Sequence, residues 1–253
     1  MFIIDNYALA VLFCFITMIC WGSWANTQKL ASQKWPFQLF YWDYTFGILL
    51  ITLFFAFTFG SVGDFGRSFL HDLEQAKMSN ITSAFIGGII FNFANLLLVI
   101  AIEIAGMAIA FPIGIGIALV LGVFTNYIVQ PEGDPLILII GVILVAVAIL
   151  IDGIAYKKIL QKTNENPLKG ILFSVSAGIA MGFFYKYVAA SMATDFIIPE
   201  AGKLTPYSAL VIFSLGIIIS SFLFNTINMY RPFSGEKVSF SDYFTMGNTK
   251  LHL

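Results

Sequence analysis

The chain has 253 residues, of which 59% are hydrophobic and 11% charged, against about 25% charged in an average soluble domain. A mean hydropathy of +0.89, with 27 Phe, 10 Tyr and 4 Trp, excludes disorder, a coiled coil and a nucleic-acid-binding domain. The 13 basic and 14 acidic side chains nearly cancel, so no global field attracts an anionic partner; the composition is that of an integral membrane protein.

A spanning helix needs about 20 largely apolar residues. Charged residues cut the chain into seven long uncharged windows, which predict helices over 7–28, 40–60, 81–102, 107–129, 136–156, 168–190 and 206–230. These runs are continuous, whereas spanning β-strands alternate. The expected class is an all-α polytopic membrane protein.

The first span is preceded by Asp5 and by no Lys or Arg, so it is a retained helix and not a secretory signal. Cys14 and Cys20 lie inside it and define neither a disulfide framework nor a metal site. Near its end stand Trp21, Gly22, Ser23 and Trp24. Trp21 and Ser23 are candidate substrate contacts, because a planar ligand can stack beside the small residues; the alternative is an aromatic belt at headgroup level. The second span opens with Tyr41, Trp42 and Asp43, and Asp43 is a candidate for proton coupling.

Asn80-Ile81-Thr82 is a glycosylation sequon that abuts the third span. Within that span Asn92 and Asn95 are three residues apart and share a face, with Val99 expected on the opposite one. Carboxamides facing lipid are costly, so the pair is expected inside the bundle, as interhelical hydrogen bonds or as substrate contacts that both donate and accept. Glu103, in the hairpin that follows, is a second proton-coupling candidate. In the fourth span Gly106, Ala110, Gly114, Ala118 and Gly122 recur every four residues, a stripe that lets helices approach closely. Pro112 within it predicts a kink or an unwound stretch. The fifth span ends near Asp152 and the sixth carries Lys186, the remaining proton-coupling candidates. Asn126, Asn225 and Asn228 lie nearer helix ends and are expected to be structural or interfacial.

The sixth span repeats the first at an offset of 160: Leu12-Phe13 matches Leu172-Phe173, Ile19 matches Ile179, and Gly22 matches Gly182. The two spans run in opposite directions, as in transporters built from inverted repeats. The spacing predicts a five-helix repeat over 1–160 and an incomplete second repeat over 161–253, that is, helices 1–7 of a ten-helix scheme whose last three are missing from a truncated chain. A small-residue stripe of Gly170, Ser174, Gly178 and Gly182 marks the sixth span.

With the N-terminus outside, the inner segments hold Lys29, Lys34, Lys157, Lys158, Lys162, Lys169, Arg231, Lys237 and Lys250, and the outer loops hold Arg67, Lys77 and Lys203. This asymmetry places the N-terminus outside and the C-terminus in the cytoplasm. No H-E-x-x-H, G-x-S-x-G or phosphate-binding loop occurs, and both histidines lie outside the spans, so no enzyme, cofactor or metal site is expected.

The run Trp21-Gly22-Ser23-Trp24-Ala25-Asn26-Thr27-Gln28-Lys29-Leu30, followed by Phe40-Tyr41-Trp42-Asp43-Tyr44, resembles the opening of the ureide permease family. Residues 105–116 and Pro232-Phe233-Ser234-Gly235 resemble its bacterial members. The resemblance implies a member of the drug/metabolite transporter superfamily in a bacterial inner or plasma membrane. It implies ten helices in two inverted repeats, and proton-coupled movement of allantoin, uracil or a related small neutral solute. The segment 157–169 is short and lacks the long central loop of the plant proteins, which points to a bacterial type and leaves room for another substrate, such as a sugar. A seven-helix receptor or retinal protein is the rival class, but the seventh span has no lysine for a Schiff base. A membrane scaffold is a third, which would not need central asparagines.

Overall fold

The computed structural model describes residues 1–4, 6–31, 35–129, 131, 133–159, 167–233, 235–247 and 252, with the backbone alone at 25, 29, 129, 153, 156–159 and 167. Of the basic residues counted for orientation, Lys34, Lys162 and Lys250 lie outside the described residues, as do the side chains of Lys29, Lys157 and Lys158. The described elements are α1 (Tyr7–Ala31), α2 (Phe37–Phe57), α3 (Phe69–Gln75), α4 (Met78–Ala105), α5 (Met107–Val129), α6 (Pro135–Ile159), α7 (Pro167–Ser191), α8 (Pro206–Tyr230) and α9 (Phe240–Thr245).

Seven of these, all but the short α3 and α9, are long and apolar enough to cross a bilayer. Each expected span is one of them. Helix starts follow from local chemistry: the Asp134 carboxylate accepts the Leu136 N–H at 2.8 Å ahead of α6, and Pro206 opens α8, where a missing N–H costs nothing. On α1 every side chain from Leu12 to Ser23 is exposed. A run of that kind is tolerable only in lipid, and the protein is an integral membrane protein.

Two compact units make up the chain. The first comprises Met1–Ile81 and Ser191–Leu253, the second Thr82–Ala190. Each contains helices from both expected repeats.

In the second unit, α4 and α5 form a hairpin around Gly106, whose φ of +81° suits only glycine without strain. Leu98 meets Gly114, and Ala94 packs with Ala118 and Met181. Helix α7 lies antiparallel to α4: Gly87 meets Val188, Phe91 and Phe184 stand edge to face at 5.1 Å, and Gly170 meets Ala105. The two small-residue stripes face each other. A Cβ on Gly178 would lie 2.5 Å from the Gly114 carbonyl oxygen, and one on Gly182 would lie 2.7 Å from Leu121 Cβ. A Cβ on Gly122 would itself meet nothing within 4 Å, although one on Gly182 would lie 3.5 Å from the Gly122 nitrogen. Pro112 sits inside an unbroken α5, so the unwound stretch does not form. Its ring removes the bond to the Ala108 carbonyl alone, and packing on both sides holds the rest of the helix.

In the first unit α2 packs along α8. Contacts Gln38 to Asn225, Thr52 to Ser214 and Gly60 to Tyr207 run in opposite order along the two helices, which are therefore antiparallel. At one end the segment 58–80, containing α3, is clamped onto residues 192–205. Arg67 donates to Asp72 at 2.7 Å and to the carbonyls of Pro199, Glu200 and Lys203. Asp72, fully buried, also accepts the Thr205 N–H at 2.7 Å and its hydroxyl at 3.0 Å. Nearby, the Thr194 hydroxyl and then the backbone N–H groups of Glu200 and Thr194 hold the Glu200 carboxyl below the usual carboxylate range. Asn80 of the sequon donates its amide nitrogen to the Gly202 carbonyl at 2.6 Å.

Candidate functional site

Asn92 and Asn95 are, respectively, fully buried and 2% exposed, near the middle of α4. Val99, expected on the opposite face, is itself fully buried. It is seven residues from Asn92, nearly two whole turns, and so shares its side of the helix.

The other sequence-predicted residues divide between the units. Trp21, 45% exposed, lies on the surface of α1. Ser23 is exposed too and bonds back to the Ile19 carbonyl at 2.6 Å. The ring contact made by α1 uses Trp24, which stacks on Tyr44 with centroids 6.1 Å apart and planes 26° apart. Glu103, Asp152 and Lys186 are exposed on α4, α6 and α7 of the second unit.

Asp43 has the most elaborate surroundings of the charged candidates. Its carboxylate accepts Trp35 Nε1 at 3.1 Å and the Tyr243 hydroxyl at 2.5 Å, and it lies 2.9 Å from His252 Nδ1. Burial first, and then the bond to Asp43, push the Tyr243 phenol well up, so it stays a donor. The same segment packs Met229 and Val238 around Trp35, Leu39 and Trp42. An apolar cavity of about 160 Å³, lined by Trp42, Phe46, Phe222, Phe240, Tyr243 and Phe244, adjoins this cluster.

Sequence reasoning passed over the interface between α2 and α8. Gln38, Tyr41, Thr45 and Thr52 are spaced by three, four and seven residues and share one face of α2. Ser214, Ser221, Asn225 and Asn228 are spaced by seven, four and three and share one face of α8. Because the helices are antiparallel, these faces meet as a polar seam. Thr52 and Ser214 hydroxyls are 3.0 Å apart, and Asn225 Nδ2 donates to the Gln38 carbonyl at 2.8 Å. Gln38, Tyr41, Thr45, Ser214, Ser221, Asn225 and Asn228 are all buried. Several hydroxyls satisfy themselves on their own helix, Thr45 on Trp42 and Ser221 on Ile217. Buried Gln28 Oε1, Asn225 Oδ1 and Thr226 Oγ1 have no hydrogen-bond partner among the described residues. The signal for this seam was in the matching reversed spacings, but it appears only when the two helices are read as a pair. Among the described residues no cluster of His, Cys, Asp or Glu has metal-binding geometry.

Both units thus carry buried neutral polar side chains on their membrane-length helices. Comparison with known proteins gives this a context. Residues 40–164 match the ureide permease family. Ureide permease 1 of Arabidopsis thaliana is 24% identical over 240 residues, covering 88% of this chain and 61% of that protein. Ureide permease 3 of the same plant is 24% identical over 275 aligned positions, covering 96% of this chain and 79% of its own length. Ureide permease 2 is 25% identical over 136 residues. The chain thus spans about three-fifths of the length of Ureide permease 1. No solved structure matches it.

Proposed function

We propose that this chain, which belongs to the ureide permease family, is a secondary transporter for a small neutral polar solute, a ureide such as allantoin or a nucleobase such as uracil, and not an enzyme. The observation that carries this reading is the pair Asn92 and Asn95, two carboxamides buried in the middle of a spanning helix. Each offers a donor and an acceptor at fixed positions, which matches a ring bearing alternating N–H and C=O groups. Trp21 and Ser23, on α1 of the first unit, are kept as candidate contacts taken by themselves.

The transport cycle is read as proton-driven. Asp43 is the first choice for the proton-carrying group, because three polar side chains converge on its carboxylate. Glu103, Asp152 and Lys186 stand behind it. The repeats over 1–160 and 161–253 are inverted, with the N-terminus outside the plasma membrane and the C-terminus in the cytoplasm. The antiparallel packing of α2 on α8, the second helix of each repeat, supports that inversion.

The test is equilibrium binding of radiolabelled allantoin and uracil to the purified protein in lipid nanodiscs. Loss of one partner from a buried hydrogen bond costs about 1 to 3 kcal/mol, or about 5- to 150-fold in affinity. Asn92→Ala and Asn95→Ala are expected to weaken binding by that order, and Phe93→Leu, on the exposed side of α4, to change it by less than about 2-fold. Affinity unchanged in both Asn variants would show the pair to be interhelical glue.

A further inference from the structure

Near the polar seam of the first unit stand two side-chain carbonyl oxygens that accept no hydrogen bond among the described residues. Asn225 is fully buried, and its Nδ2 is engaged by the Gln38 carbonyl while its Oδ1 has no partner. Gln28, 4% exposed, has an equally orphaned Oε1. Both lie at the level of one turn of α2. Gln28 is one helical turn past Trp24 and so on the same face of α1, and Trp24 stacks on Tyr44. Chain reversal between α1 and α2 then sets Gln28 at the level of Phe40 and Tyr41. Asn225 reaches that turn through its bond to Gln38. Thr226, next in sequence, adds an unpartnered hydroxyl.

An unsatisfied buried acceptor costs about 1 to 3 kcal/mol, and two at the level of one turn are a deficit the fold retains. Helix propensity does not require Gln28 or Asn225, since Leu serves better at both positions and is apolar. What the deficit lacks is hydrogen-bond donors. The recognition is neutral: the Asp43 carboxylate, five residues on from Gln38, is already occupied by Trp35, Tyr243 and His252.

We infer that Gln28 and Asn225 form a donor-accepting subsite, in which their carbonyl oxygens receive N–H groups of a neutral amide- or ureide-bearing solute at the Gln38–Tyr41 turn. This rests on the transport reading above and adds residues to it that are independent of Asn92 and Asn95. Tyr41, buried at the same turn with its ring 5.5 Å from that of Tyr44, walls the subsite with an aromatic face.

The test compares allantoin with its N-methylated analogues, which lack individual donors, on the full chain in nanodiscs. Gln28→Leu and Asn225→Leu are each expected to weaken allantoin by about 10-fold. In the wild type, methylation of the matching N–H is expected to weaken binding by a similar factor, and in the corresponding Leu variant that penalty vanishes. A purely structural role does not erase a ligand-specific penalty. Since Asn225 Nδ2 also ties α8 to α2, Gln28→Leu carries the test by itself if Asn225→Leu does not fold. Folded variants that bind allantoin within 2-fold of wild type, or that keep the full penalty after Gln28→Leu, overturn the subsite and leave the transport reading standing. A wild-type protein that binds neither allantoin nor uracil overturns both.

Discussion

Asp72→Ala tests the clamp that joins the segment 58–80 to residues 192–205. The carboxylate is fully buried and accepts four donors: Arg67 Nε at 2.7 Å, Thr205 N at 2.7 Å, Thr205 Oγ1 at 3.0 Å and Gln75 Nε2 at 3.3 Å. Its removal strands a guanidinium whose side chain is 14% exposed. Breaking a buried pair from one side costs about 3 to 5 kcal/mol. Arg67 keeps the carbonyls of Pro199, Glu200 and Lys203, which sets the loss at the low end, about 3 kcal/mol, or about 150-fold in the local opening equilibrium. Hydrogen exchange read by mass spectrometry is the assay, because it resolves a local opening from global unfolding. Peptides covering 66–78 and 192–206 are expected to exchange about 100-fold faster, while those from α5 and α6 keep their wild-type rates. The double variant Arg67→Met, Asp72→Leu no longer buries a lone charge and is expected to lose less than the sum of the single changes. Exchange within about 5-fold of wild type in Asp72→Ala would refute the assignment of the clamp to this pair.

Other outcomes follow from the packing and the topology. Gly178→Ala places a Cβ 2.5 Å from the Gly114 carbonyl and is expected to cost about 1 to 3 kcal/mol; Gly22→Ala meets nothing within 4 Å and is expected to be neutral or to stabilise α1 by up to about 1 kcal/mol, with thermal midpoints in detergent separating the two. In a background lacking Cys14 and Cys20, cysteine at His71, an exposed position, is expected to react with an impermeant thiol reagent applied to whole cells, and cysteine at Lys237 to be protected. The reverse pattern would invert the orientation. Expressed in a eukaryotic host, the protein is expected to show no mass shift on treatment with a glycosidase that removes N-linked glycans. The Asn80 amide nitrogen is already bonded to the Gly202 carbonyl, and a shift would mean that this contact opens before folding completes.

The number and bounds of the spans were legible because a bilayer imposes its requirement locally: about 20 apolar residues in a row, whatever they later pack against. For the same reason the small-residue periodicity of α5 and α7 and the burial of Asn92 and Asn95 could be read from single helices. Three things needed the chain folded. The short helices α3 and α9 have no bilayer to demand them, and α3 is held by Arg67 bonds that reach more than 130 residues along the chain. Asp43 looks interfacial in sequence, yet Tyr243 meets it across 200 residues. The seam between α2 and α8 was hidden because each polar stripe alone reads as scattered Thr, Ser and Asn near helix ends. Hydropathy averages over a window and discards direction, so it reports that a helix crosses the membrane but not which face it turns to which neighbour. That choice belongs to side-chain packing between segments far apart in sequence, and with it came the unsatisfied oxygens of Gln28 and Asn225.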